Sequence, residues 1–233
     1  MSKPKSNLIT MNKHHEPARE QIGRFQGKTA NQNNMYQSLH QNVLTLGLGS
    51  AGTGKTYTAC HFAAEQLQKR NVRKIILTRP IVGLGRTNGA LPGTMEEKLE
   101  PWYAPMINTF KSIVSAGWYD TQKKHGNIEL IGLEYVRGQS YDDTIIIVDE
   151  AQNLTRDEIK AMSTRVGVNS KIIFIGDTRQ SDLKGNGCPI YDYAMLVARC
   201  NVSNIGFVTF GHEDIVRSDF VKELVIAFEK NGW

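Results

Sequence analysis

Runs of consecutive apolar residues alternate along this chain with stretches in which apolar positions return every three or four residues. The runs Val43 to Leu48 (VLTLGL), Lys74 to Thr78 (KIILT), Thr144 to Val148 (TIIIV) and Lys171 to Ile175 (KIIFI) contain few polar positions. A strand with one wet face alternates polar and apolar residues, so unbroken runs predict strands buried on both faces. Ile128 to Leu133 and Ile205 to Phe210 add two more strands, the first of them the weaker signal. Helical spacing covers Lys55 to Arg70, Glu96 to Ala116 with a break expected near Pro101 and Pro105, Arg156 to Val166, Pro189 to Arg199 and Ser218 to Lys230. Thr155 is placed to cap the third of these, with Asp157 and Glu158 suiting its positive end. Strands alternating with helices predict an α/β fold: a mostly parallel sheet with helices on both faces.

The 233 residues, 40% hydrophobic and 22% charged, suffice for one buried core plus a tail or insertion. We expect a basic, flexible arm over residues 1–30 and one domain over 31–233, with a loop and helical insertion at about 80–127 containing GLGRTNGALPG. Net charge is +5, and residues 1–30 hold six Lys and Arg against two Glu, so only +1 belongs to the rest. The basic character therefore lies in the arm, and the body is not expected to grip nucleic acid tightly. No apolar run is long enough to span a bilayer, and the amino end lacks the apolar segment of a signal peptide; the expectation is a soluble cytoplasmic protein without membrane contact. Cys60, Cys188 and Cys200 lack metal-binding spacing and are expected to be reduced.

The candidate chemistry begins at Gly49-Ser50-Ala51-Gly52-Thr53-Gly54-Lys55-Thr56, which satisfies GxxxxGK[ST] between an apolar strand and a helix, with Tyr57 just beyond. Glycines let backbone N–H groups close around phosphate oxygens, Lys55 supplies charge to the β and γ phosphates, and the Thr56 hydroxyl can hold Mg²⁺. TIIIVDEAQ puts Asp149 at the carboxyl end of a buried strand, where it can hold Mg²⁺ through water, while Glu150 can orient the attacking water. KIIFIGDTRQSDL ends another buried strand in Gly176-Asp177, followed by the polar Thr178 and Gln180.

These segments resemble the PhoH family of ATPases, whose core is similar to that of superfamily 1 helicases, from about Lys28 to Glu229. The resemblance rests on KTANQ, GSAGTGKTYTA, RPIVGLGRTNGALPG, EEKLEPWYAPM, EYVRGQSYDDTIIIVDEAQN, STRVGVNSKIIFIGDTRQSDL and EDIVRSDFVKELVIAFE. It implies a single RecA-like P-loop NTPase core binding ATP and Mg²⁺, with Gln32 recognising adenine, Gln180 sensing the γ-phosphate and Arg217 acting as an arginine finger. Arg79 and Arg165 are further candidates for phosphate or neighbour contacts. The chain departs from the family pattern at Ser50, at Arg86-Thr87 and at Lys184.

A single core implies that Arg217 faces the next subunit's nucleotide in a head-to-tail homo-oligomer, with a hexameric ring expected from the resemblance. The implied function is an ATP-hydrolysing motor, a helicase or translocase on single-stranded nucleic acid, RNA before DNA. Arg86, Trp102 and Tyr103 are candidates for its tracking surface. Two alternatives stay open. A P-loop nucleoside kinase shares the small core, although the zinc lobe of thymidine kinases needs four clustered cysteines that this chain lacks. A nucleotide-gated assembly factor would need little turnover.

Overall fold

A computed structural model describes residues 22–81, 95–136, 140–180 and 187–231. In chain order the elements are α1 (Ala30–Gln41), β1 (Leu44–Gly49), α2 (Lys55–Gln68), β2 (Lys74–Thr78), α3 (Met95–Ile113), α4 (Ala116–Lys124), β3 (Ile128–Leu130), α5 (Leu133–Val136), β4 (Thr144–Val148), α6 (Arg156–Ser163), β5 (Lys171–Gly176), α7 (Pro189–Arg199), β6 (Ile205–Phe210) and α8 (Asp219–Asn231). The six strands form one sheet in the order β3-β2-β4-β5-β1-β6, and every pairing is parallel.

Alternate strand residues face opposite layers. Ile145, Ile147, Ile173 and Ile175 join a core with Met35 and Leu39 of α1, Phe62 of α2 and Phe110 of α3. Their neighbours Ile146, Val148, Ile172 and Phe174 join a second core with Ile159 and Met162 of α6 and Ile190 and Ala194 of α7. Residues buried in turn toward two apolar layers require the unbroken runs seen in the sequence. Parallel register brings strand ends level, with Leu48 opposite Gly176 and Thr78 opposite Val148, so the loops after β1, β2, β4 and β5 gather at one edge.

Three features depart from the expected elements. Helix α1 is absent from the expected helices and carries Gln32; Thr29 Oγ1 caps it by accepting from the Gln32 amide, and Met35 and Leu39 are buried one turn apart. Second, α3 runs without a break through Pro101 and Pro105. Both prolines are exposed and, four residues apart, lie on one side of the helix. Third, residues 22–29 pack on the body instead of belonging to a free arm: Phe25 is buried and stacks on Tyr36 with ring centroids 4.3 Å apart. The remainder of the arm, residues 1–21, lies outside the described residues, as do Arg86, Thr87 and Lys184. No helix among the described residues is long and apolar enough to cross a membrane.

Candidate functional site

The loop between β1 and α2 folds around its own lysine. Lys55 Nζ donates to the carbonyls of Gly49 and Ser50, each at 2.7 Å, and to Thr53 Oγ1 at 3.2 Å. Burial pulls the Lys55 ammonium down to about 8, against the opposing pull of Asp177 and Asp149. Gly54 ends the loop with φ 81° and ψ 15°, a left-handed conformation costly to a residue with a Cβ. A Cβ there would also stand 2.6 Å from Gln32 Nε2.

Gln32 is buried beneath the loop. Its Nε2 donates to the Thr53 carbonyl at 2.9 Å and its Oε1 accepts from the Lys28 amide at 2.7 Å. Here the amide braces the phosphate loop from α1. The adenine contact implied by the resemblance would draw on groups that already have protein partners.

Opposite the loop, Asp149 follows β4 and accepts from Thr56 Oγ1 at 3.3 Å. Burial, then the charge of Glu150, raises the Asp149 carboxyl to about 6, with Arg79 and Thr56 opposing. A hydroxyl and a buried carboxylate facing each other are hard oxygen donors that suit Mg²⁺, and a divalent cation between them would return Asp149 to its ionised form. Among the described residues no group of three His, Cys, Asp or Glu could hold a metal on its own, so an ion here would complete its shell with phosphate and water.

Glu150 adopts a left-handed backbone, φ 54° and ψ 39°, at the sharp turn after Asp149. Such a conformation costs a non-glycine residue about 1–3 kcal/mol and persists where surrounding contacts hold it. Gln152 Nε2 donates to Glu150 Oε2 at 2.6 Å, and Gln152 Oε1 accepts from the Asp177 amide at 3.0 Å. Gln152 thus links the turn after β4 to the loop after β5, where the Gln180 amide donates to the Asp177 carbonyl at 3.0 Å.

Arg217 comes from the segment between β6 and α8. The Val216 amide donates to the Gly52 carbonyl at 3.0 Å, and a Cβ on Gly52, whose φ is 74°, would stand 3.0 Å from Arg217 Cγ. The same segment is tied to α1 through Asp214, which accepts from Asn31 Nδ2 at 2.8 Å and from the Gly211 amide at 3.0 Å. Those hydrogen bonds outweigh burial and hold the Asp214 carboxyl below its usual range. Arg217 therefore lies against the phosphate loop of its own chain.

A cavity of about 380 Å³ unites these groups: Ala51 to Tyr57, Asp149, Glu150, Gln180 and Arg217 line it, together with Gly176, Asp177 and, from α3, Pro105 and Thr109. Of the residues proposed from sequence, Gly49 and Ser50 act from behind through their carbonyls and Gln32 from beneath. Arg165 does not line the cavity, and its carbonyl accepts from the Tyr141 amide. Tyr103 is fully buried and donates to the Ile131 carbonyl at 2.9 Å, so it packs the insertion and offers no stacking face; Trp102 is 38% exposed.

Sequence reasoning missed Gln152 and the wall formed by α3. It also left Arg79 without its partner, Glu150, whose Oε1 lies 3.6 Å from Arg79 Nη2. The available signal was position: Arg79 directly follows β2, at the same edge as Glu150 and Gln152.

The family described as PhoH-like protein matches residues 24–229. The chain belongs to the PhoH-like family. It is 36% identical over 201 residues to a PhoH-like protein from Mycobacterium leprae, covering 86% of this chain and 57% of the relative. It is 35% identical over 208 residues to a PhoH-like protein from Bacillus subtilis, covering 88% and 64%. The chain thus spans 57–64% of the length of these PhoH-like relatives. The large terminase of bacteriophage HK97 shares the fold, with a TM-score of 0.55 and 15% identity over 91% of this chain and 48% of that one. Family and fold together assign a P-loop ATPase core with an all-parallel sheet.

Proposed function

We propose that the protein hydrolyses ATP with Mg²⁺ and uses the cycle to move on single-stranded nucleic acid, RNA in preference to DNA, as a cytoplasmic homo-oligomer. The observation that carries the hydrolytic part is the convergence, in one cavity, of a phosphate-binding lysine, a hydroxyl and carboxylate pair, a second carboxylate, a glutamine and an arginine. Each group has a distinct task. Lys55 exchanges its loop carbonyls for β and γ phosphate oxygens, with the backbone amides of Ala51 to Thr56 closing around them. Thr56 and Asp149 are the residues that would hold Mg²⁺, which would neutralise charge on the phosphates. Glu150 aligns the attacking water and accepts its proton, Gln180 senses the terminal phosphate, and Arg217 stabilises the charge that develops on transfer.

Movement on a strand is supported by α3, which sends Pro105 and Thr109 into the cavity and leaves Trp102 partly exposed on the same helix. Helix α8 supports assembly: none of its residues is buried in the protomer, and Phe220, Leu224 and Phe228 recur on one side at 72%, 39% and 45% exposure. A hexameric ring is the assembly we favour, from the family resemblance.

The test is ATP turnover with Mg²⁺ in the presence and absence of single-stranded RNA and DNA, alongside mass measurement with and without nucleotide. Turnover that Glu150→Gln abolishes, stimulated more by RNA than by DNA, is the expected result. Turnover stimulated by a nucleoside and indifferent to either strand would instead support a kinase. Biological activity that survives Glu150→Gln would support an assembly factor.

A further inference from the structure

Arg79 leaves β2 beside β4, where the Asp149 amide donates to the Thr78 carbonyl at 3.0 Å, so the two strand ends run abreast. Its guanidinium divides between two elements. Nη2 lies 3.6 Å from Glu150 Oε1, and Nη1 donates to the Trp102 carbonyl of α3 at 2.9 Å. With Gln152 on Oε2, Glu150 has a partner on each side: Gln152, which also accepts from the Asp177 amide after β5, and Arg79, which also donates to the Trp102 carbonyl of α3.

A surface ion pair contributes little and is normally well hydrated. This one differs. The Arg79 side chain is only 18% exposed, and its Nε is buried without a hydrogen-bond partner among the described residues. The planar fork is spread between the Glu150 carboxylate and the backbone of α3, an arrangement that a single ammonium cannot reproduce.

We propose that Arg79 is a positioning residue that ties the aim of Glu150 to the position of α3. A single strand that displaces α3 pulls on the Trp102 carbonyl, Arg79 follows, and Glu150 turns toward or away from the line of attack on the terminal phosphate. The device explains why one helix both walls the nucleotide cavity, through Pro105 and Thr109, and receives the other end of the arginine fork. It rests on the reading of Glu150 as the group that aligns water.

The experiment measures kcat and KM for ATP, with and without a single-stranded uridine oligonucleotide, in the full chain and in its Arg79→Ala and Arg79→Lys variants. Misplacing a reacting group by an ångström costs about 10²-fold in rate, so Arg79→Ala should lower kcat on that order while KM shifts by less than about twofold. Arg79→Lys should recover part of the basal kcat, because a cation stays beside Glu150. It should still lose oligonucleotide stimulation, because an ammonium cannot span carboxylate and carbonyl as the planar fork does.

Turnover and stimulation in Arg79→Ala within about twofold of wild type would overturn the proposal. So would a fall in kcat matched by an equal rise in KM together with a lowered melting temperature, which marks general loosening of the site. Should Arg79→Ala fail to fold, Arg79→Lys decides: stimulation lost at an unchanged melting temperature supports the tie, and full stimulation removes it. Failure of the underlying reading looks different, because the wild-type protein itself would then show no turnover that depends on Glu150.

Discussion

Replacing Gly54 with alanine tests how the phosphate loop is held. Two costs arise, and they come from different atoms. The first is the left-handed backbone, φ 81° at Gly54, which burdens an alanine by about 1–2 kcal/mol wherever it stands. The second is the 2.6 Å approach of the new Cβ to Gln32 Nε2, which forces that side chain off the Thr53 carbonyl and the Lys28 amide. Two hydrogen bonds at about 1 kcal/mol each add about 2 kcal/mol, for a total of about 3–4 kcal/mol. Urea unfolding of Gly54→Ala, Gln32→Ala and the double variant separates the two. Gln32→Ala already forfeits both hydrogen bonds and removes the clash, so the double variant should fall short of additivity by about 2 kcal/mol. Strict additivity, or a Gly54→Ala cost below about 0.5 kcal/mol, would refute the picture of Gln32 as the brace of the loop.

Two further outcomes follow from the same geometry. Lys55 is held down to about 8 without nucleotide, and bound phosphates favour its charged form; ATP affinity should therefore be level below that pH and weaken by up to about tenfold per pH unit above it. Calorimetry in buffers of different ionisation enthalpy should then show proton uptake on binding near pH 8, and release instead of uptake would contradict the assignment. On α8, Phe220→Asp with Phe228→Asp should leave the protomer's stability within about 0.5 kcal/mol, since neither side chain is buried, while sedimentation shows a smaller assembly; unchanged mass would remove α8 from the subunit contact.

Much of this was legible in the sequence because local chemistry and fold agree at those places. The apolar runs at β2, β4 and β5 could only be strands buried on both faces, and GSAGTGKT between β1 and α2 left little choice of conformation. Helix α1 was hidden because ANQNN has weak helical preference and the helix depends on burying Met35 and Leu39 against the sheet. Proline reads as a helix breaker, and although the four-residue spacing puts Pro101 and Pro105 on one side of a helix, nothing in the order of residues says that this side is exposed. The approach of Arg217 to the phosphate loop depends on how the segment after β6 returns to Gly52, a long-range hydrogen bond with no local signature. Arg79 and Gln152 escaped for a related reason: their work is defined by Glu150, and the pairings exist only once β2, β4 and β5 lie side by side.

The position of Arg217 against Gly52 leads us to propose that it completes the nucleotide site of its own chain. The most direct measurement co-expresses Arg217→Ala with Glu150→Gln under separate tags, purifies the mixed assemblies and assays ATP turnover. With all the groups in one protomer, every site in the mixture carries one defect or the other, and activity should stay at the level of the single variants, about 10³-fold or more below wild type. Recovery that rises with the mixing ratio toward a maximum at equal amounts would show the arginine acting across a subunit boundary and would contradict the proposal that Arg217 serves its own chain's site.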